Sequence, residues 1–201
     1  MPVVSGNKIA VFASGFGSNL QSLIQAEHDG ALKGTIRLVV SDRQEALALQ
    51  RASQGGIAAV FVDPKKYANK AAFDQALLKL VQDHDISYVV LAGYMRILTE
   101  AFVTPLLGKI VNIHPSLLPA YPGMNAIERA YEAQEKEVGV TVHFVDQGVD
   151  TGPIILQNRL SVVKGESLQE LTERVHALEH AMLVEAVNKV VAGEIILKER
   201  P

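Results

Sequence analysis

The chain has 201 residues, of which 48% are apolar and 20% charged; its net charge is −3 and it contains no cysteine. This length suits one folded domain with a sizeable core, while the absence of cysteine excludes disulfide bonds and thiolate chemistry, and the negative charge gives no basic footprint for nucleic acid. No secretory signal pattern is present and no apolar run approaches the roughly 20 residues of a membrane helix, so we expect a soluble cytoplasmic protein.

Short β-branched runs alternate with amphipathic segments along the first half of the chain. These runs predict strands over residues 8–14, 35–42, 57–63, 86–93 and 109–114. The intervening segments predict helices over 18–30, 45–56, 69–85 and 100–107. Strands that alternate with helices form right-handed βαβ units on a parallel sheet.

The second half has a different pattern. A helix over 125–134 precedes strands over 138–146 and 153–162, whose short connection favours an antiparallel pair. A long helix over 167–193 opens with a capping box, Ser167 and Glu170, and a last strand is expected over 194–198. Without a linker, repeat or low-complexity segment, the sequence predicts a single α/β domain over 1–201. We expect a Rossmann-like, mostly parallel sheet flanked by helices, with an antiparallel strand pair in the C-terminal half.

A glycine loop, SGFGSNLQ, follows the first strand. Gly15 and Gly17 allow a tight turn, and Ser18 is expected to cap the helix that follows. Free N–H groups at a helix start bind anions such as phosphate. Leu20 stands where a dinucleotide fingerprint needs a third glycine, so a terminal phosphate is favoured over NAD, although Asp42 ends the second strand as a ribose-binding acid would. The loop equally fits a tight turn without a ligand.

The segment NIHPSLLPAYPG, residues 112–123, presents an amide and an imidazole at the end of a predicted strand. Ligands of open α/β sheets bind beyond the carboxyl ends of the strands, which is where Ser14–Asn19, Gly93–Leu98 and Asn112–His114 are predicted to lie. A His there can exchange protons, and an Asn can donate to a carbonyl oxygen that gains charge. The alternative is a proline-rich turn with a surface His.

Asp150, in QGVDTGP, is the carboxylate partner expected for His114. Its loop is bracketed by glycines, which permit unusual backbone geometry. Near His114, the carboxylate would favour the imidazolium and fix the orientation of the ring. The DTG triplet also occurs in aspartic proteases, but those enzymes need two such carboxylates and this chain has one.

The sequence HALEH, residues 176–180, matches the H-x-x-E-H pattern of some zinc peptidases. A catalytic zinc is usually bound by three protein ligands. A site with His176 and His180 would therefore need a third ligand, such as His143 or Glu194. The alternatives are a Glu179 that accepts hydrogen bonds from substrate at a pocket edge, or an exposed polar face.

Taken in order, several segments resemble those of the phosphoribosylglycinamide formyltransferase family, the folate-dependent enzymes of purine synthesis. They are ASGFGSNLQSLI, VVSDR, LAGYMRIL, NIHPSLLPAYPG, GVTVHFVDQGVDTGPIILQ and RVHALEH, which span nearly the whole chain. The resemblance implies formyl transfer from 10-formyltetrahydrofolate, as co-substrate, to the amine of glycinamide ribonucleotide. It implies these two small molecules as partners and a monomer or homodimer, with no metal, nucleic acid or membrane involved.

The resemblance also implies roles for individual residues. Gly17, Ser18 and Asn19 would hold the substrate phosphate. Glu179 would contact the substrate ribose, with His176 nearby at a position that is often Gln in the family.

For the chemistry and the folate, the resemblance implies two further sets. Asn112, His114 and Asp150 would be the catalytic trio, with the first two stabilising an oxyanion and Asp150 helping to shuttle a proton. Lys70 takes a position where an Arg is expected near the folate. The other implied folate contacts are Met95, Arg96, Ile97, Leu98, Asn112, Asp146, Gln147, Gly148, Val149 and Asp150.

Other functions are also compatible with these motifs. Methionyl-tRNA formyltransferases have a similar catalytic segment but carry an RNA-binding domain, and formyltetrahydrofolate hydrolases usually carry a regulatory domain. A catalytically inactive folate- or nucleotide-binding module would bind ligand without turnover.

Overall fold

Seven strands and six α-helices alternate through residues 7–197, the part of the chain that the structure, a computed structural model, describes. The strands are β1 Lys8–Phe12, β2 Thr35–Ser41, β3 Ala58–Phe61, β4 Tyr88–Leu91, β5 Ile110–His114, β6 Glu137–Phe144 and β7 Ile154–Ser161. The α-helices are α1 Ser18–His28, α2 Leu47–Gln54, α3 Lys70–Asp83, α4 Glu100–Val103, α5 Ala126–Glu132 and α6 Leu168–Val191. Two 3₁₀ turns, Pro64–Lys66 and Thr104–Leu106, were not predicted as such.

The strands form one sheet in the order β3-β2-β1-β4-β5-β6-β7. The pairs from β3 through β5 are parallel, whereas β5–β6 and β6–β7 are antiparallel. The predicted fold class, a Rossmann-like mostly parallel sheet with an antiparallel pair in the C-terminal half, is therefore confirmed. The sequence pattern did not reveal that β6 also runs antiparallel to β5.

Both faces of the central strands β1 and β4 are covered, which explains why these two strands are almost entirely apolar. In β1, Ile9 and Val11 pack into the layer that contains α1 and α6, while Ala10 and Phe12 pack into the layer that contains α3 and α4. Alternate residues of a strand point to opposite faces, so a strand buried on both sides needs apolar residues throughout.

The predicted final strand over 194–198 is wrong for its described residues 194–197, and Lys198 lies outside the described part of the chain. The backbone N–H groups of Glu194 and Ile195 both donate to the carbonyl of Lys189, at 2.9 and 3.2 Å. These donors close the last turn of α6 and are not available for a strand ladder.

Helix α6 begins with the predicted capping box. The Ser167 hydroxyl accepts from the Glu170 N–H, and the Glu170 carboxylate accepts from the Ser167 N–H at 2.7 Å. The helix packs mainly against α1 and β6, which brings residues far apart in the sequence to the same side of the sheet. No helix within residues 7–197 is both long and apolar enough to cross a membrane.

Candidate active site

A cavity of about 710 Å³ opens at the carboxyl ends of the parallel strands. Loops after three strands meet there, as expected for an open α/β sheet. Helix α6 supplies one further wall. The lining includes residues 14–19, 91–98, 112–115, 123–126, 148–150 and 176 with 179.

The glycine loop joins β1 to α1 at the wall of this cavity. Gly17 is the N-cap of α1 and has φ 74°, in the left-handed region, so the predicted capping role of Ser18 is wrong and no side chain caps this helix. The first intrahelical bond runs from Gln21 N to Gly17 O at 2.9 Å, so earlier N–H groups of the first turn have no partner within the helix. Such N–H groups are the donors that the predicted anion site would use.

Arg51 of α2 holds this loop from behind, a role that the sequence analysis missed. Its Nε donates to the carbonyl of Phe16 at 2.9 Å, and its guanidinium lies 4.6 Å from the centroid of the Phe16 ring. A second nitrogen donates to Gln21 on α1 at 3.0 Å. Arg51 therefore fixes both the loop and the helix that follows it.

His114 ends β5 with both ring nitrogens facing oxygen atoms. Nε2 donates to the backbone carbonyl of Tyr121 at 2.8 Å, and Nδ1 lies 3.5 Å from Asp150 Oδ2. The ring is nearly buried, so these two oxygens define most of its polar surroundings. A doubly protonated ring can donate at both ends, whereas a neutral ring would leave Nδ1 as a lone pair facing a carboxylate.

Asp150 is held by several donors in an uncommon backbone conformation, φ 55°. Oδ2 accepts from the N–H of Gly123 at 2.8 Å, and Oδ1 accepts from Asn112 Nδ2 at 3.3 Å. Burial opposes ionisation and is the largest single influence, but the contacts with His143, Gly123 and His114 outweigh it and lower the pKa of the carboxyl. Asp150 is therefore a carboxylate at neutral pH.

His143 also reaches this group of side chains. Its Nε2 lies 3.1 Å from Asn112 Nδ2 and 3.6 Å from Asp150 Oδ1. On the sequence, His143 was expected only as a possible third zinc ligand. Its placement depends on the antiparallel register of β5 and β6, which pairs Asn112 with His143.

Ser14 connects the glycine loop to the segment after β4. Its hydroxyl donates to Asp42 Oδ1 at 2.5 Å and accepts from the Met95 N–H at 2.8 Å. Arg96 lies 3.9 Å from the other Asp42 oxygen and 5.1 Å from the centroid of the Phe73 ring. Asp42 is thus engaged within the protein, which disfavours the ribose-binding role of an NAD site.

Glu179 of α6 is a buried carboxyl on the cavity wall. Desolvation raises its pKa from 4.5 to about 7, although a hydrogen bond from Asn19 acts in the opposite direction. His176 Nε2 lies 3.9 Å from the Glu179 carboxylate, and the His176 side chain is half exposed at the cavity. An exposed polar face, one of the sequence alternatives, is therefore wrong for Glu179.

The additional ligands that a zinc peptidase would need lie elsewhere. Glu194 pairs with Lys33 at 2.7 Å, and His143 contacts Asn112 on the other side of the site. Within residues 7–197, no group of three or more His, Cys, Asp or Glu side chains is arranged to hold a metal ion.

Most of the predicted binding residues line the cavity. The two that do not are Lys70, exposed at the first residue of α3, and Gln147. Those that do are Gly17, Ser18, Asn19, Met95, Arg96, Ile97, Leu98, Asn112, His114, Asp146, Gly148, Val149, Asp150, His176 and Glu179.

A family model described as formyl transferase matches residues 7–187 of the chain. The chain belongs to the formyl transferase family. The predicted resemblance is therefore confirmed at the level of the family.

Individual relatives carry more specific names. A phosphoribosylglycinamide formyltransferase of Bacillus subtilis is 42% identical over 173 residues, covering 86% of this chain and 89% of the relative. The trifunctional purine biosynthetic protein adenosine-3 of Drosophila melanogaster is also 42% identical, over 94% of this chain but only 14% of its own length.

The solved structures agree with this assignment. The crystal structure of glycinamide ribonucleotide transformylase 1 from Symbiobacterium toebii superposes with a TM-score of 0.93 and 41% sequence identity. The match covers 96% of this chain and 92% of that one. The formyl transferase fold thus extends over nearly all the residues described here.

Proposed function

We propose that this protein transfers the formyl group of 10-formyltetrahydrofolate to the amine of glycinamide ribonucleotide, in purine synthesis. The observation that supports this most directly is that one cavity connects the glycine loop at 14–19 to Asn112, His114 and Asp150. A phosphorylated amine bound at the loop can therefore extend towards these three side chains. The names of the curated relatives and solved structures point to the same reaction.

The phosphate of glycinamide ribonucleotide is assigned to Gly17, Ser18 and Asn19. The start of α1 offers unpartnered N–H groups, and the positive end of the helix dipole adds to the attraction. Glu179 and His176 of α6 are assigned to the ribose, because a buried carboxyl beside the loop can accept from hydroxyl groups.

The folate is assigned to the part of the cavity lined by residues 95–98 and by the loop after β6. Met95 and Ile97 are exposed apolar side chains there, at 58% and 56%, and offer surface for a flat ring. Residues of the loop Asp146–Asp150 line the same cavity, and its Val149 is also exposed. Lys70 and Gln147 remain assigned to the folate on the resemblance alone.

The reaction joins the substrate amine to the formyl carbon. The amine nitrogen attacks, the carbonyl electrons move to oxygen, and a tetrahedral oxyanion forms. An N–H of Asn112 and the His114 imidazolium stabilise this oxygen. Loss of one such donor typically costs about 10²–10³-fold in rate.

Collapse of the intermediate transfers one proton and breaks one bond. The attacking amine gives up a proton to Asp150, directly or through water, and a proton is delivered to folate N10. The bond between N10 and the formyl carbon then breaks, which releases tetrahydrofolate and the formylated amine. Proton transfer of this kind contributes about 10²–10⁴-fold, and holding both substrates together contributes further.

A direct assay tests this function. The purified protein is mixed with 10-formyltetrahydrofolate, and folate deformylation is followed with and without glycinamide ribonucleotide. Deformylation that requires the amine, with one formylated product per folate consumed, supports the proposal. Equal rates without the amine would instead indicate a hydrolase, and binding without deformylation an inactive module.

Other expectations stay predictions. The sheet runs through both halves of the described chain, which supports one formyltransferase domain over 1–201. A cytoplasmic location and a monomer or homodimer are expected, and sedimentation analysis would distinguish the two assemblies.

A further inference from the structure

His143 is a buried imidazole at the reacting end of the cavity, and the mechanism above does not use it. It is 2% exposed and lies directly opposite Asn112 in the antiparallel pair of β5 and β6. Side chains at opposed positions of neighbouring strands project from the same face of a sheet. His143 and Asn112 are therefore placed to act on each other.

The hydrogen-bond partners of the ring identify which nitrogen carries the proton. Nδ1 lies 2.8 Å from the carbonyl oxygen of Phe144, which can only accept, so Nδ1 is the donor. In the neutral ring, Nε2 is then an acceptor. Nε2 lies 3.1 Å from Asn112 Nδ2, which can only donate. The contacts with Phe144 and Asn112 thus each join a donor to an acceptor when the ring carries its proton on Nδ1, and they oppose the pull of Asp150 Oδ1, 3.6 Å from Nε2, towards protonation of that nitrogen.

The amide nitrogen of Asn112 has a second acceptor on the same side. Asp150 Oδ1 is 3.3 Å from Nδ2 and 3.6 Å from His143 Nε2. These distances enclose an angle of about 70° at Nδ2, well below the ~120° that separates the two hydrogens of a planar amide. Because the two acceptors subtend a smaller angle than the two hydrogens, Nδ2 can donate to both of them, and His143 and Asp150 together fix where the amide nitrogen lies.

We propose that His143 is a positioning residue that holds the Asn112 amide with its nitrogen, and not its oxygen, on the side of His143 and Asp150. The inference rests on the proposed function, in which an N–H of Asn112 stabilises an oxyanion. A reversed amide would place Oδ1 against both the His143 lone pair and the Asp150 carboxylate. Two acceptors on one side thus select a single orientation of Asn112.

Kinetic constants of two variants test this role. His143→Phe keeps a ring but removes the acceptor, so kcat should fall by roughly 10–100-fold while KM for both substrates stays within about twofold. His143→Gln can present Oε1 as an acceptor and should recover most of the lost kcat. A His143→Phe variant with kcat close to that of the wild type would overturn the proposal.

A matched control comes from His84, the residue that follows the last residue of α3. His84 also bonds a backbone carbonyl, that of Leu80, through Nδ1 at 2.9 Å, and it is not among the residues lining the cavity. His84→Phe should leave kcat and both KM values unchanged. A fall in kcat of the same size as in His143→Phe would show that loss of such a bond, and not the contact with Asn112, lowers turnover.

A double-mutant cycle tests whether His143 acts through Asn112. In an Asn112→Ala background, adding His143→Phe should change kcat by less than about threefold, because the amide to be positioned is absent. Full additivity of the two losses would contradict a positioning role.

The protonation of the ring gives a readout that needs no turnover. Nitrogen-15 NMR of the labelled wild-type protein at neutral pH should show His143 protonated at Nδ1 and unprotonated at Nε2. An Nε2–H tautomer or an imidazolium would overturn the proposal. Failure of the wild-type protein to formylate glycinamide ribonucleotide would instead refute the proposed function and leave this ring assignment standing.

Discussion

His114 and Asp150 are joined through one loop as well as to each other. His114 Nδ1 lies 3.5 Å from Asp150 Oδ2. The other ring nitrogen of His114, Nε2, donates to the carbonyl of Tyr121, and Asp150 Oδ2 also accepts from the N–H of Gly123. The proline-rich segment after β5 therefore orients both members of the pair. The geometry of the assigned pair thus depends on the loop that directly follows β5.

Removing either member of this pair should reduce turnover without unfolding the protein. We expect His114→Ala and Asp150→Asn each to lower kcat by roughly 10²–10⁴-fold, because one loses an oxyanion donor and the other a proton acceptor. Steady-state kinetics measures the loss, and circular dichroism checks the fold. Asp83→Asn, on the exposed end of α3, serves as the control. A folded variant with near-normal kcat would show that the assigned role is wrong.

Gly17→Ala should damage both the glycine loop and substrate binding. A Cβ at this position would lie 2.9 Å from the Cα and Cβ of Ala48, and the backbone φ of 74° disfavours any residue with a Cβ. We expect a loss of about 1–3 kcal/mol in the free energy of unfolding and a raised KM for glycinamide ribonucleotide. Chemical denaturation and kinetics measure the two effects.

Gly15→Ala is the matched stability control, because nothing lies within 4 Å of a Cβ built there. It should leave the free energy of unfolding unchanged. An equal destabilisation by both substitutions would remove the steric explanation.

Glu179→Gln should stabilise the protein at high pH while weakening substrate binding. The pKa of Glu179 is about 7 in the folded state, above its usual 4.5, so the unfolded chain ionises first as pH rises. The free energy of unfolding therefore falls as the pH rises from about 4.5 to about 7, by about 3 kcal/mol in total. The variant avoids this loss, so it should be more stable than the wild type at pH 8 but not at pH 4, as thermal unfolding can measure.

The same variant should raise KM for glycinamide ribonucleotide more than it lowers kcat, since Glu179 is assigned to ribose binding. Glu185→Gln, on an exposed part of α6, should change neither property. If Glu179→Gln gave equal gains in stability at pH 4 and pH 8, ionisation of the buried carboxyl would not be the cause.

Ser14→Ala should loosen the folate end of the cavity. The substitution leaves the Met95 N–H without its acceptor and the Asp42 carboxylate without its closest donor, which costs about 1–3 kcal/mol per buried group. Because the segment 93–98 carries the assigned folate contacts, KM for 10-formyltetrahydrofolate should rise severalfold with a smaller change in kcat. The control is Ser53→Ala, which removes an exposed hydroxyl of α2 that donates to Leu49 O. An unchanged KM for 10-formyltetrahydrofolate in Ser14→Ala would show that the Ser14 hydrogen bonds do not support folate binding.

The sequence by itself determined the succession of strands and helices, because the strands of the first half are short, mostly apolar runs and the helices repeat their apolar residues at helical spacing. It also indicated that Asn112, His114 and the glycine loop share one edge, since parallel strands bring their carboxyl ends together. The motifs and their order along the chain were also sufficient to indicate the family.

Only the tertiary structure decided which side chains contact each other across that edge. The pairing of Asn112 with His143 depends on the register of β5 and β6. The bridge from Ser14 to Asp42 and Met95 depends on the order of β2, β1 and β4 in the sheet. The raised pKa of Glu179 depends on how α6 packs. Register, strand order and desolvation arise from contacts between distant segments, and a local pattern of residues contains no information about them.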